Sequence, residues 1–342
     1  MKRKIFFTIS FLLILVLCFR TSEAKLISRD GFAMNTLIRV SVYSDDVKIL
    51  DDAYKLLSRL DNLFSMYDEN SQISKINSLA GIEKFNAAPE VCEIIEKSLK
   101  VYEISNGVFN PLIGPVTKLW KINRADNKIP SPESLDKAVK LSEISNLEIE
   151  DNNIFLKNEG CILDLGGIAK GYASEKISAM LKNSGVESAL IDLGGNVQTL
   201  GKKIDGSNWN IGIRDPSDPV NVALVLSVND TAVITSGGYE RYKIVNGKKY
   251  SHFFDSKTGN SITNDLLSVT VVTPDGSLAD GLATAFMAAG FEKSLEILKN
   301  IPTSTGVIFI RLNNDKIEIF ASENLQNSIT KSRYALKFIR KT

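Results

Sequence analysis

Two consecutive glycines occur at three places where an apolar run ends, a pattern typical of a phosphate-binding site. The first lies in Asp164-Leu165-Gly166-Gly167-Ile168-Ala169-Lys170-Gly171-Tyr172, which we interpret as a strand that ends in an acid and leads into a helix. Glycines let backbone groups approach a ligand, and a helix N-terminus favours an anion. Taken alone, the motif is equally typical of a tight strand-to-helix connection. It recurs, however, in Asp192-Leu193-Gly194-Gly195-Asn196 and in Thr235-Ser236-Gly237-Gly238-Tyr239.

These glycines do not belong to either of the two most familiar nucleotide motifs. No Gly-Lys-Ser/Thr follows them at the spacing of a Walker loop, and none of the three places reads Gly-x-Gly-x-x-Gly. The sequence therefore excludes a Walker site and a dinucleotide-binding turn at these positions.

A carboxylate and a hydroxyl lie four residues apart in Ala279-Asp280-Gly281-Leu282-Ala283-Thr284-Ala285, at the start of a predicted helix. This spacing puts both oxygens on one helix face, where they can share a hard cation with a backbone carbonyl and with phosphate oxygens of a substrate. Mg²⁺ is the cation that we expect. The alternative is that Asp280 only caps the helix while Thr284 faces the core.

The single histidine of the chain, His252, lies in Ser251-His252-Phe253-Phe254-Asp255-Ser256-Lys257-Thr258-Gly259. One histidine excludes a metal site made of several histidines and any mechanism that needs two imidazoles. A metal must therefore be held by oxygen. By composition alone, a histidine beside two phenylalanines is typical of a partly buried structural side chain.

Amphipathic spacing predicts the helices that must position these groups. Apolar residues recur at three and four from Asp45 to Phe64, and a second such segment runs from Pro89 to about Ser105. The remaining predicted helices are Ala169 to Asn183, Asp280 to Ala289 and Phe291 to Lys299.

Alternating or continuous apolar runs between the helices predict strands. They are Leu37 to Tyr43, Ser188 to Leu193, Val222 to Val228, Leu266 to Thr273, Gly306 to Leu312 and Lys316 to Ala321. The polar section from Lys121 to Glu143 is predicted to be a loop that separates two lobes. We therefore expect a mixed α+β fold in a single bilobed domain.

The composition indicates a folded, exported protein. The chain has 342 residues, 44% of them hydrophobic, and a formal net charge of +1, which leaves no electrostatic signature of nucleic-acid binding. Residues 1 to 24 combine a basic start, an apolar run and small residues before Ala24, as an export signal does. Cleavage after Ala24, lipidation at Cys18 and retention as an uncleaved anchor are the alternatives. Three cysteines exclude a disulfide framework.

Taken together, the motifs resemble one family, the FAD:protein FMN transferases of the ApbE type. The resemblance follows the family's order over nearly all of residues 25 to 342: Met34 to Thr36, Ser65 to Tyr67 with Asp68 to Asn77, Gly107 to Trp120, Asp164 to Tyr172, Asp192 to Asn196, Trp209 to Pro216, Thr235 to Gly237, His252 to Gly259, and Asp280 to Thr284. Two positions depart from the family pattern, because Asn35 replaces a usual glycine and Ser256 a usual proline.

The resemblance implies a role for each matching residue. It implies largely antiparallel sheets with flanking helices. It assigns contacts with FAD to Met34, Tyr67, Val108, Phe109, Asn110, Asp164, Lys170 and His252. It assigns the Mg²⁺ ligands to the Gly167 carbonyl, Asp280 and Thr284, and places His252 near the reacting phosphate. His252 is the candidate base, with Asp255 or another carboxylate as its rival.

The implied reaction transfers FMN from FAD to a serine or threonine of another protein and releases AMP. The expected acceptor is a subunit of a membrane redox complex with a Ser/Thr-Gly-Ala-Ser/Thr sequence, at the outer face of the cytoplasmic membrane or in the periplasm. Two alternatives remain open at this point. The same site could hydrolyse FAD to FMN and AMP, or the protein could carry FAD without turnover.

Overall fold

The computed structural model describes residues 25–122 and 128–340. The proposed signal, with Ala24 and Cys18, lies outside the described residues. Helices in these ranges are α1 (Lys48–Phe64), α2 (Gln72–Ser78), α3 (Pro89–Ile104), α4 (Gly114–Trp120), α5 (Pro132–Leu141), α6 (Ala169–Asn183), α7 (Gly276–Ala289) and α8 (Phe291–Ile297). None of them is long and apolar enough to span a bilayer.

The strands of the described residues form one large sheet and three small ones. They are β1 (Leu26–Ala33), β2 (Thr36–Tyr43), β3 (Phe85–Asn86), β4 (Leu147–Glu150), β5 (Asn153–Leu156), β6 (Ala189–Leu193), β7 (Asn196–Leu200), β8 (Trp209–Asp215), β9 (Asp218–Val228), β10 (Ala232–Gly237), β11 (Tyr242–Val245), β12 (Lys248–Ser251), β13 (Leu266–Thr273), β14 (Gly306–Asn313), β15 (Lys316–Ser322), β16 (Ile329–Ser332) and β17 (Leu336–Ile339).

The large sheet has nine strands in the order β1-β2-β6-β7-β10-β13-β14-β15-β17. Every neighbouring pair is antiparallel except β15 and β17. The small sheets are β16-β9-β8, β3-β5-β4 and the hairpin β11-β12. The expected mixed α+β fold with largely antiparallel sheets is therefore confirmed.

Both faces of the large sheet are covered, which explains the continuous apolar runs of its central strands. On one face, Val40, Ile191 and Val269 pack into the main core with residues of the helices, including Leu57 and Leu282. On the other face, the sheet β16-β9-β8 packs against the large sheet. The residues of this second core include Ile211, Ile213, Leu224, Leu226, Val233, Val272 and Ile308.

Most predicted elements are found with shifts of a few residues at their ends, but two predictions are wrong. The polar section from Lys121 to Glu143 contains α5, whose Ser131 side chain accepts a hydrogen bond from Ser134 N. This helix buries only Leu135 and Ala138, in a small cluster with Trp120. The helix was not predicted because its two buried apolar residues lie among Lys, Glu and Ser and give no clear helical periodicity.

The segment before Asp164 is not a strand. Asn77 holds Leu163 through both of its amide atoms: Leu163 N donates to Asn77 Oδ1 over 2.7 Å, and Asn77 Nδ2 donates to Leu163 O over 3.1 Å. Asp164 N donates to Pro111 O over 2.8 Å. A side chain 86 residues away thus satisfies the backbone groups that a neighbouring strand would otherwise satisfy.

Candidate functional site

A cavity of about 540 Å³ opens where strand ends of the large sheet meet the start of α6 and the face of α7 that carries Asp280 and Thr284. This volume lies within the range of small-molecule sites. All three glycine pairs contribute to its walls, through Gly166 and Gly167, Gly194 and Gly237. The recurrence seen in the sequence therefore corresponds to three chain segments that converge on one site.

Ten of the residues predicted for the site line this cavity. They are Tyr67, Val108, Phe109, Asn110, Asp164, Gly167, Lys170, His252, Asp280 and Thr284. Asp255, the rival candidate for the base, does not line the cavity. Met34 is also not among the lining residues. It lies in the turn between β1 and β2 with φ of 49°, its N–H donates to Asp61 Oδ2 over 2.9 Å, and its side chain packs against the main core. Thr36, two residues later, does line the cavity.

The loop before α6 is shaped by its own carboxylate. Asp164 Oδ1 accepts a hydrogen bond of 2.9 Å from Gly166 N, and the N–H groups of Ile168 and Ala169 both donate to Leu165 O. These bonds close a turn that directs the start of α6 towards the cavity. Because the positive end of a helix lies there, together with Lys170, this wall is suited to an anion such as phosphate.

Asp280 joins α7 to the start of α6. Its Oδ2 accepts a hydrogen bond of 2.9 Å from Gly171 N, and the residue is only 3% exposed. A Cβ at Gly171 would lie 2.1 Å from Gly276 O, so glycine is required for the two helices to approach this closely. The alternative that Asp280 caps its own helix is wrong, because α7 begins four residues earlier and its cap is Asp275, which accepts from Leu278 N.

Thr284 lies one turn further along α7, beside the glycine loop. Its hydroxyl donates to Gly167 O, and the two oxygens are 3.2 Å apart. Adjacent ligands of an octahedral Mg²⁺ are separated by about 3 Å, since each lies about 2.1 Å from the ion. The described residues contain no group of three His, Cys, Asp or Glu side chains that could hold a metal. A site with one carboxylate suits Mg²⁺ when substrate phosphate oxygens complete its coordination.

His252 has one ring nitrogen in use. Its Nδ1 lies 3.0 Å from Arg241 O, and because a carbonyl can only accept, Nδ1 carries the proton. Burial lowers the pKa of His252 to about 4, and the positive charges of Arg241 and Lys170 also lower it. The ring is therefore neutral at pH 7, with Nε2 able to accept a proton.

Aromatic and loop residues form a further part of the cavity wall. Tyr67 is 71% exposed, so its ring is free to stack on a planar ligand. The side chain of Asn110 is occupied within the protein: Nδ2 donates to Ser142 O, and Oδ1 accepts from Leu112 N. Asn110 therefore shapes the loop that presents Val108 and Phe109 and leaves only its backbone for a ligand.

Several charged lining residues were missed in the sequence. Lys118 and Lys121 extend from α4 and its C-terminal end, and Glu240 and Arg241 directly follow the third glycine motif. The position of Glu240 and Arg241 right after Tyr239 was the signal that could have identified them. Lys118 and Lys121 have no such signal, because exposed lysines on a helix or just after its end are common in any globular protein.

Comparisons with known proteins identify the family of the chain. The ApbE family model matches residues 34–309. A relative from Treponema pallidum named FAD:protein FMN transferase is 33% identical over 306 residues, covering 83% of this chain and 84% of the relative. One of the same name from Klebsiella pneumoniae is 31% identical and covers 86% of this chain and 92% of the relative.

Two solved structures have the same fold. The flavin transferase ApbE from Vibrio cholerae superposes with a TM-score of 0.81 at 26% identity, covering 89% of this chain and 99% of that chain. The ApbE protein of Thermotoga maritima gives a TM-score of 0.82 at 27% identity, covering 90% of this chain and all of that chain. The chain therefore belongs to the ApbE family of transferases.

Proposed function

We propose that this protein is a Mg²⁺-dependent FAD:protein FMN transferase, which moves FMN from FAD to a serine or threonine hydroxyl of another protein. The observation that carries the proposal is the arrangement of one cavity. It combines the start of α6, the oxygens of Gly167, Asp280 and Thr284, and a neutral histidine. The names of the relatives support FAD as the substrate and a protein as the acceptor.

The substrate would bind with its pyrophosphate between α6 and α7. The start of α6 and the Lys170 ammonium offer positive charge to the phosphates. Gly167 O, Asp280 and Thr284 would hold Mg²⁺, which when bound neutralises charge on the pyrophosphate oxygens. The exposed ring of Tyr67 is placed to stack on the flavin or the adenine.

The chemical step requires one proton acceptor. A bond forms between the acceptor's hydroxyl oxygen and the FMN-side phosphorus, and the bond from this phosphorus to the bridging oxygen breaks. AMP leaves with the electron pair of that bond. His252 Nε2 takes the hydroxyl proton, while the bond from Nδ1 to Arg241 O keeps the ring oriented.

AMP release tests the proposal against its two alternatives. Purified protein with FAD and Mg²⁺ is incubated with and without an acceptor domain that contains a Ser/Thr-Gly-Ala-Ser/Thr sequence. We expect AMP to appear in proportion to modified acceptor. AMP without modified acceptor would indicate an FAD pyrophosphatase, and FAD binding without AMP would indicate a carrier.

We also propose that the protein acts outside the cytoplasm, on a subunit of a membrane redox complex. The location rests on the signal-like order of residues 1 to 24, and the class of acceptor rests on the family resemblance. N-terminal sequencing and lipid analysis of the protein from fractionated cells should find it in the periplasm or membrane fraction, starting after Ala24 or carrying lipid on Cys18, or retained as an anchored chain. A protein that begins at Met1 in the cytosolic fraction would contradict the proposal.

A further inference from the structure

Arg241 lines the cavity, and its guanidinium makes no ion pair or hydrogen bond in the part of the chain that the structure describes. Most other arginines in this part pair with a carboxylate, namely Arg29, Arg39, Arg59, Arg311, Arg333 and Arg340. Arg214 is the other exception, but it does not line the cavity. A guanidinium without a partner at a cavity is suited to an anionic ligand such as phosphate.

Strand pairing places Arg241 directly opposite His252. β11 and β12 form an antiparallel hairpin in which Tyr242 pairs with Ser251. The pairing extends by one residue, because His252 N donates to Arg241 O over 3.2 Å. Side chains of directly opposite residues lie on the same face of a hairpin, with Cβ atoms about 4.5–5.5 Å apart. The side chain of Arg241 is therefore a neighbour of the His252 ring.

The face of the hairpin that carries Arg241 and His252 is turned towards the protein. Lys243, the next residue of β11 on this face, is 8% exposed, and its Nζ donates to Trp120 O over 2.7 Å. Opposite Lys243, Tyr250 packs against the Trp120 ring with the ring centroids 5.3 Å apart. Arg241 continues this row to the place where the cavity opens, and there it is exposed. Its guanidinium can therefore reach a ligand in the cavity.

The arrangement puts two positive charges side by side when His252 takes a proton. Burial lowers the pKa of His252, and the positive charge of Arg241 lowers it further. A phosphate next to both groups would offset this repulsion, because it is negative and accepts hydrogen bonds from either group. In the proposed reaction His252 takes its proton at the FMN-side phosphorus, so the phosphate beside Arg241 is the FMN-side one.

We infer that Arg241 is a catalytic residue, whose guanidinium donates hydrogen bonds to the non-bridging oxygens of the FMN-side phosphate of FAD. The inference rests on the proposed function, because it requires FAD in this cavity with His252 at the reacting phosphorus. Donors fixed at these oxygens stabilise their charge while the bond to the bridging oxygen breaks. Arg241 makes and breaks no covalent bond and keeps its proton throughout.

Arg214 offers a matched control. Arg214→Gln and Arg241→Gln each remove one positive charge from an exposed arginine without an ion pair, but only Arg241 lines the cavity. Arg241→Lys keeps the charge and loses the planar pair of donors. Because the guanidinium has no partner in the ligand-free protein, both Arg241 variants should keep the wild-type Tm.

Arg241→Gln should lower kcat for FMN transfer about thirtyfold, the effect of losing one charge-assisted hydrogen bond in the transition state. Arg241→Lys should recover part of this loss, and Arg214→Gln should react at the wild-type rate. Binding then locates the contact. In Arg241→Gln the Kd for FMN should rise about tenfold, while the Kd for riboflavin, which lacks the phosphate, and for AMP should stay within about twofold.

A wild-type rate of transfer in Arg241→Gln would overturn the inference. So would an equal loss in Arg214→Gln, which indicates a long-range effect of charge, or equal weakening of FMN and riboflavin, which indicates a structural role. Weaker binding of AMP alone would place the guanidinium on the other phosphate and overturn it as well. Wild-type protein that attaches no FMN to an acceptor would instead contradict the proposed function, and the comparison of FMN with riboflavin then decides on Arg241 alone.

Discussion

Asp280→Asn should slow AMP release from FAD by at least about a hundredfold, because it removes the one formal charge among the three proposed Mg²⁺ ligands. Asparagine distinguishes the role of Asp280 as a metal ligand from its role as a hydrogen-bond acceptor, whereas alanine would remove both. Asp280 also accepts the hydrogen bond from Gly171 N at the junction of α6 and α7. The asparagine Oδ1 can still accept that bond, so the helix junction is retained while the metal ligand is weakened.

Thr284→Val is the companion variant and should have a smaller effect, about tenfold or less. Valine has the shape of threonine, and a water can replace a neutral hydroxyl as a ligand. AMP release is measured with and without EDTA for wild type and both variants. In the same samples, FAD binding should strengthen on addition of Mg²⁺ in the wild type but not in Asp280→Asn. AMP release that needs no metal, or an Asp280→Asn enzyme at the wild-type rate, would rule out the proposed site.

His252→Asn should lower kcat for FMN transfer by about 10²–10⁴-fold while the Kd for FAD stays within a few fold. A base acts in the chemical step and contributes less to binding. Asparagine Nδ2 can take the place of Nδ1 as donor to Arg241 O, so the orientation of this strand end is preserved. His252→Ala should have the same effect on kcat. Equal losses in FAD affinity and turnover would make His252 a structural residue.

The pH profile provides an independent test of the same role. Since the pKa of His252 is lowered to about 4 in the free protein, the neutral base persists at pH 5 and above. We therefore expect kcat/KM for FAD to be flat near neutral pH and to fall on acidification through about pH 4. Bound pyrophosphate is negative and favours the imidazolium, so the acid limb of kcat should lie at higher pH than that of kcat/KM. The variants His252→Asn and His252→Ala should not show this fall in rate on acidification.

Local signals in the sequence were sufficient for helices α1, α3, α6, α7 and α8 and for strands β2, β6, β9, β13, β14 and β15, but not for α2, α4, α5 or the central strand β7. Periodicity found α1 and α3, and the predicted Ala169 to Asn183 coincides with α6, because each of these helices has a long apolar stripe. The short or polar strands, such as β11 and β12, were missed because their side chains carry no comparable pattern. The strand expected before Asp164 is absent for a non-local reason, the bonds from Asn77.

The chemistry of the site depended on contacts between distant residues. The sequence places Asp280 and Thr284 one turn apart, but the bond from Gly171 N to Asp280 spans 109 residues, and that from Thr284 to Gly167 spans 117. Individual residue types could be selected from motifs and from the family resemblance. The tautomer of His252 depends on the position of Arg241 O beside its ring, which follows only from the folded structure.

The most direct test of the proposed function is the mass of an acceptor protein. Purified protein, FAD and Mg²⁺ are incubated with an acceptor domain carrying a Ser/Thr-Gly-Ala-Ser/Thr sequence, and with a control in which the target hydroxyl residue is replaced by alanine. We expect an FMN phosphoester on that hydroxyl, one AMP released for each FMN attached, and no adduct on the control. Release of AMP and free FMN in equal amounts, with the acceptor unmodified, would contradict FMN transfer.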